Sequence, residues 1–172
     1  MRSLRIYRPS DKGNGAAFQF SAGNKKKNNV PVMFIEAAPQ TGPKPKPGSS
    51  ESPFNWRENK IVVMLNIDEL GSLLASIKGL DTKTVKFVHK SEGDNMSTFE
   101  LKPPQSEEEA RYGNWKIAVS KNSKFINSFL STGQLILFSI LAEGIIKDYY
   151  LGDNDGNSDI TVESKSEDSE QS

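Results

Sequence analysis

The stretch Lys60–Gly79, "KIVVMLNIDELGSLLASIKG", changes its periodicity in the middle, and the change decides how the chain is divided. Residues Lys60–Asn66 are β-branched and apolar, which suits a strand. From Ile67 onward the apolar residues Ile67, Leu70, Leu73, Leu74 and Ile77 recur at helical spacing. Asn66 stands where a cap is needed, Glu69 follows three residues later as in a capping box, and Gly79 closes the element. A strand therefore feeds directly into an amphipathic helix.

Upstream, three further strands are expected. Leu4–Arg8 is short and ends at Pro9. Ala16–Ala22 sets Phe18 and Phe20 against Gln19 and Ser21. Val30–Ala38 is apolar and β-branched. Between the last of these and Lys60 lies "PQTGPKPKPGSSESP", residues 39–53, whose five prolines and Gly/Ser content exclude regular structure and read as a flexible loop. "GNG" at Gly13–Gly15 lacks the spacing and strand-to-helix context of a dinucleotide fingerprint and reads as a hairpin turn.

Downstream the order repeats without any repeat of sequence. Thr84–Lys90 sets Val85, Phe87 and His89 against Lys86, Val88 and Lys90. Ser97–Lys102 and Trp115–Ser120 alternate in the same way, and Lys124–Leu130 is a weaker fourth strand. "PPQSEEEARYGN", residues 103–114, reads as a polar loop. A second helix, starting at Ser131 or Thr132 and reaching about Tyr150, has almost no polar face. Apolarity nearly all round predicts burial on all sides. A domain of this size cannot easily enclose such a helix, so other subunits are expected to cover it, with Leu135, Phe138, Leu141 and Ile145 at the interface and Gly144 marking a close helix contact. The predicted fold class is α+β, with two four-stranded antiparallel units each followed by a helix, ββββα–ββββα.

Composition limits the chemistry. The 172 residues contain no cysteine and one histidine, which excludes disulfides and Cys- or His-rich metal sites. His89, on the apolar face of its strand, reads as a packed residue and not a catalyst. Glu107, Glu108 and Glu109 read as a solvated patch, and no nucleophile–base pair is recognisable. The expectation is a non-enzyme without metal or cofactor. "MRSLRIYRPSDKG" has no apolar core of a secretory signal, and no apolar run is long enough to span a membrane. An intracellular location, cytoplasmic, nucleoid or nuclear, is expected, with an organelle left open.

The zero net charge conceals an asymmetry. After Gly152 come seven acids and one base, a charge of −6, which leaves +6 on residues 1–151. The domain is expected over residues 1–152, followed by a disordered acidic tail over 153–172. A basic body suits a polyanionic partner. Single-stranded nucleic acid needs lysines for phosphates and aromatic faces for bases. Lys12 and Lys25, Lys26 and Lys27 flank the second strand, and Lys60, Lys86 and Lys116 provide further phosphate contacts. Tyr7, Phe18 and Trp56 are the expected stacking residues, with Arg8 and Gly13 beside them; Phe54 and Tyr112 are further aromatics at strand ends or loops.

Six segments, in order, resemble the Whirly single-stranded-DNA-binding proteins. "IYRPSDKGNGAAFQF" (6–20) is similar to their tyrosine and Lys-Gly-Lys-Ala-Ala motif, and "FIEAAPQ" (34–40) to their Phe-Leu-Glu-x-Ala-Pro strand end. "FNWRENKIVVMLNIDELGSLLA" (54–75) resembles an aromatic-Asp-Trp segment running into a Thr-Glu-x-Gly-Ser-Leu helix. "VKFVHKS" (85–91), "LKPP" and "WKIAVS", and "LSTGQLILFSILAEGIIKDYYLG" (130–152) follow in family order. The likeness spans residues 4–152. It implies two antiparallel sheets as blades, helices at the centre of a homotetramer, and single-stranded DNA bound with little sequence specificity in replication, recombination, repair or transcription. RNA binding or annealing, and a transcription-regulating assembly module, are the alternatives. The tail would compete for the basic groove or bind partner proteins. The sequence departs from the family at Lys12–Ala17, where one residue is added and the second lysine is missing, and at Asn55, which replaces the usual Asp. Lys25–Lys27 and the proline loop are not family features.

Overall fold

The fold is described from a computed structural model, over residues 3–26, 28–46, 52–79, 83–91, 95–111 and 115–151. The expectations for Lys27, Tyr112, the loop centre 47–51 and the acidic segment 153–172 fall outside these residues. Four strands, β1 (Ser3–Arg8), β2 (Ala16–Asn24), β3 (Pro31–Pro39) and β4 (Ile61–Leu65), lead into α1 (Ile67–Ile77). Then β5 (Val85–Ser91), β6 (Asn95–Lys102), a short α2 (Glu107–Arg111), β7 (Trp115–Lys121) and β8 (Lys124–Leu130) lead into α3 (Thr132–Leu151). Each quartet forms one antiparallel sheet in chain order, β1-β2-β3-β4 and β5-β6-β7-β8. The expected architecture is the observed one.

One correction concerns the segment 103–114, read as loop from its polarity. It contains α2, because "SEEE" carries a cap: Ser106 Oγ accepts the Glu109 N–H at 3.1 Å and Ser106 C=O accepts from Ala110 N–H at 2.9 Å.

Register assigns every side chain to a face. In the first sheet the rows Leu4–Phe20–Ile35–Val63 and Ile6–Phe18–Ala37–Ile61 point inward. In the second, Phe87–Phe99–Val119–Ile126 and Leu101–Ile117 do so. These rows join α1 and α3 in one continuous apolar core. Phe20 meets Phe138 of α3 edge-on, ring centres 4.8 Å apart.

Both helices begin on reciprocal caps. Asn66 Oδ1 accepts the Glu69 N–H while Glu69 Oε2 accepts the Asn66 N–H, at 3.0 and 2.9 Å. Ser131 and Gln134 exchange the equivalent pair at 3.3 and 3.0 Å, which settles Ser131 as the cap of α3. The other carboxylate oxygen of Glu69 lies 2.6 Å from His89 Nε2, so the lone histidine is a half-buried tie between α1 and β5.

The reading of α3 needs revision. Leu135, Phe138, Leu141 and Ile145 pack into the chain's own core and are not available to another subunit. Helical geometry puts the opposite stripe on the surface, where Ile136, Leu137 and Ile140 are each more than half exposed, with Tyr149, Tyr150 and Leu151 exposed at the end. The helix is thus buried on one side only. A Phe138→Ala change empties the centre of the core and is expected to lower stability by about 3–5 kcal/mol, read from denaturant unfolding.

Candidate nucleic-acid interface

With the inner faces consumed by the core, the outer faces carry the polar and aromatic residues. Across the first sheet, Arg5, Gln19, Glu36 and Val62 form one outer row, and Tyr7, Ala17 and Ala38 the next. Arg5 Nε donates to Gln19 Oε1 at 2.7 Å, and Lys60 Nζ meets Glu36 Oε1 at 2.6 Å. The small side chains of Ala17 and Ala38 leave a depression that Phe54 fills, with Trp56 packed against the cluster. Tyr7 lies over this group, its ring centre 5.8 Å from that of Phe54, and is 48% exposed. Arg5, Tyr7, Gln19, Glu36, Trp56 and Lys60 line an open groove of about 300 Å³.

Two loops hold this end of the sheet in shape. Phe54 bridges to Gln40 across the base of the proline loop, and the Asn55 N–H donates to Pro39 C=O at 3.1 Å. Asn55 Oδ1 accepts the Glu58 N–H at 3.0 Å, which closes the turn that carries Trp56. The β1–β2 loop bearing Lys12 is held by one buried side chain, Gln40. Its Oε1 accepts from the N–H groups of Ser10 and Gly15, at 2.8 and 3.1 Å, and its Nε2 donates to Ser10 C=O and Gly42 C=O, at 3.0 and 2.8 Å. Gly13 sits at φ +72°, and a Cβ on Gly15 would collide with Arg8 O and Gln40 Oε1. The "GNG" turn is thus a hairpin connection with no room for a side chain at Gly15 and a left-handed backbone that favours glycine at Gly13. Lys44 reaches Asp11 at 3.2 Å, joining the proline loop to this hairpin.

The structure therefore brings Tyr7, Trp56 and Lys60 into one groove, with Lys12 and Gly13 on a stapled loop at the same end of the sheet. It separates the others. Lys25 and Lys26 lie beyond the far end of the nine-residue β2, roughly 26 Å away at 3.3 Å per residue. Lys86 and Lys116 stand on the outer face of the second sheet. Arg8, although exposed, donates to Gln134 Oε1 at 2.7 Å and so anchors the start of α3. Phe18 is corrected: it is fully buried, on the inner face of β2, and offers no ring to a base. The alternation of β2 is the expected one, and its apolar face turns toward the core.

Sequence reasoning missed several residues. Arg5 and Gln19 belong to the groove, and Gln40 organises the Lys12 loop. On the second sheet, Val88, Met96, Phe125 and Phe129 are exposed apolar residues of the outer face, among Lys86, Lys90 and Lys116. The period-two pattern "KFINSFL" puts Phe125 and Phe129 on one face and Ile126, Ser128 and Leu130 on the other, but both sets are largely apolar, and only the fold shows that the second set is buried.

Solved structures match this arrangement, among them the following. WHY1 from Arabidopsis thaliana aligns with a TM-score of 0.58 at 14% identity, over 88% of this chain and 85% of that one. MRP1/MRP2 of Trypanosoma bruciei aligns with a TM-score of 0.56 at 12% identity, over 87% and 94%. The fold is Whirly-like. No protein-family model matches the sequence, and no curated protein matches it. Within the Whirly-like fold the groove described above occupies the outer face of the first sheet. Among the described residues no cluster of His, Cys, Asp or Glu could hold a metal ion, and no helix is long and apolar enough to cross a membrane.

Gln40→Ala removes at once its three side-chain hydrogen bonds to the hairpin and the one to Gly42. It is expected to speed amide hydrogen exchange of Ser10 and Gly15 while leaving the core amides protected, since the loop and not the sheet loses its support.

Proposed function

We propose that the protein binds single-stranded DNA with little sequence specificity through the outer sheet faces, and that it does so as a homo-oligomer. The observation that carries the reading is the groove in which Tyr7 and Trp56 lie beside Arg5 and Lys60. The half-exposed Tyr7 ring and the partly buried Trp56 ring beside cations suit bases and phosphates of a flexible strand, and stacking is indifferent to base identity because every base has a π-face. A duplex would hide those base faces. Lys12 adds charge at the same end of the first sheet, Lys86 and Lys116 offer cations on the outer face of the second sheet, and Lys25 and Lys26 lie beyond the far end of β2, away from the groove. The acidic segment 153–172 is read, from its charge, as a competitor for this surface or a docking segment for partner proteins. Binding without catalysis follows as the reading for the whole domain.

Self-association rests on a different observation. Ile136, Leu137 and Ile140 form an exposed apolar stripe on α3, opposite the core-facing side, and such stripes mark contact surfaces. A tetramer with α3 helices at its centre is the arrangement that the family resemblance implies. Ile140→Glu is expected to shift the protein toward monomer in sedimentation while leaving its circular dichroism unchanged. An unchanged mass would reject the stripe as the interface.

For nucleic acid, fluorescence anisotropy across a salt series supplies the test. Wild-type protein is expected to favour single strands over duplex, with affinity falling steeply as salt rises. Trp56→Ala should cost about 1–3 kcal/mol if a base stacks there. Flat salt dependence or preference for duplex would overturn the reading, and stronger binding to matched RNA would redirect it to RNA.

A further inference from the structure

The β7–β8 hairpin has a feature that the groove on the first sheet does not explain. Its two-residue turn, Asn122–Ser123, joins Lys121 and Lys124, which are directly opposed in the antiparallel register. Opposed like charges destabilise a strand pair, and here they close the tip of the sheet. The tip is also held firmly. Asn122 adopts the left-handed conformation at φ +54°. Its N–H donates to Met96 C=O at 2.9 Å, its Oδ1 accepts the Met96 N–H at 3.3 Å, and its Nδ2 donates to Asn95 Oδ1 at 3.0 Å. Lys124 Nζ reaches the turn before β4, 3.3 Å from Asn59 Oδ1.

This hairpin faces the start of β4. Lys60, Ile61, Lys121, Asn122, Ser123 and Lys124 line a hollow of about 260 Å³. Three lysines line it, and none of these lining residues is acidic. Lys60 is shared: it lines this hollow and also the groove of Tyr7 and Trp56 on the first sheet. Its contact with Glu36 lies on the groove side, in the outer row with Arg5 and Gln19.

We propose that the hollow is a phosphate subsite, in which Lys121 and Lys124, together with Lys60, hold backbone phosphates of the same strand whose bases lie in the Tyr7–Trp56 groove. This rests on the proposed nucleic-acid reading and adds to it a route. The strand leaves the first sheet at Lys60 and passes to the hairpin of the second sheet, so both halves of one chain grip one strand. Ser123 adds a hydroxyl to the lining, while the Asn122 side chain is spent on holding the turn through Met96 and Asn95. Lysines that only solubilised a hairpin tip would have no need to converge with a cation from the other sheet.

The experiment compares wild type, K121A/K124A, K121R/K124R and, as a control at the far end of the first sheet, K25A/K26A. Each is made in a Trp115→Phe background, so that Trp56 is the one tryptophan left, and titrated with labelled oligothymidylate across a salt series, with tryptophan fluorescence recorded at saturation. The expected result is a log K against log salt slope shallower by about 1.4 in K121A/K124A, the loss of roughly two single-strand phosphate contacts. The slope should be restored in K121R/K124R, and quenching of Trp56 at saturation should persist in all. A K121A/K124A slope equal to wild type, with wild type binding, overturns the subsite and leaves the groove reading intact. If wild type binds no oligothymidylate, the groove reading fails, and the subsite is then judged with inorganic tripolyphosphate. Saturable amide shifts at Lys121–Lys124 that K121A/K124A abolishes would uphold it as an anion site. Shifts that are absent, or no larger than those at Lys25 and Lys26, would reject it.

Discussion

The rest of the structure depends on one constraint: each four-stranded sheet has an apolar face that its single helix cannot cover alone. The solution is a common core. Phe18, Phe20, Ile35 and Val63 from the first sheet meet Phe99, Ile117, Val119 and Ile126 from the second, with α1 and α3 packed against the same cluster. Phe138 of α3 touches Phe20 of β2, so the last helix of the chain covers the first sheet. Polar ties run the same way. Arg8 reaches Gln134, 126 residues away in sequence, and Glu69 of α1 faces His89 of β5. The halves are alike in element order, yet neither buries its own apolar surface.

Because the inner faces are committed, the outer faces are left to meet a partner. That separation explains why the groove is built from residues that alternate with the core: Arg5 and Tyr7 flank Ile6, and Gln19 lies between Phe18 and Phe20. It also explains the supporting loops. A flat sheet face offers little shape of its own. Gln40 and the Asn55 turn place the Lys12 hairpin and Trp56 at one end of the sheet, while the small residues Ala17 and Ala38 give Phe54 its seat. The same separation leaves one side of α3 uncovered, since a helix can present only one stripe to the core.

The element order, the helix caps and the outward lysines were legible in the sequence because they depend on neighbours within a few residues. Strand alternation identified Lys86 and Lys116 as outward, and Asn66 with Glu69 announced the first helix. The weaker inferences were those that required a choice between two faces. For Phe18 the alternation was clear, but pattern alone does not say which face meets the core. For α3 the apolar residues cover the whole circumference, so nothing in the periodicity distinguished Phe138, which is buried, from Ile140, which is exposed. The groove itself was partly legible: Tyr7 and Trp56 stood out as aromatics at strand ends, whereas Arg5, Gln19 and Gln40 have no local signature.

By itself the sequence determined two strand quartets, each ending in a capped helix, and a basic body distinct from an acidic tail. Short-range periodicity and capping chemistry are encoded over a handful of adjacent residues, and charge can be counted without coordinates. Only the tertiary structure decided which apolar residues became core, which stripe of α3 stayed exposed, and which cations converge. Lys60 and Lys124 are 64 positions apart along the chain, yet they border one hollow because two sheets share one core. Such a juxtaposition follows from how the sheets cover one another, which no local pattern records.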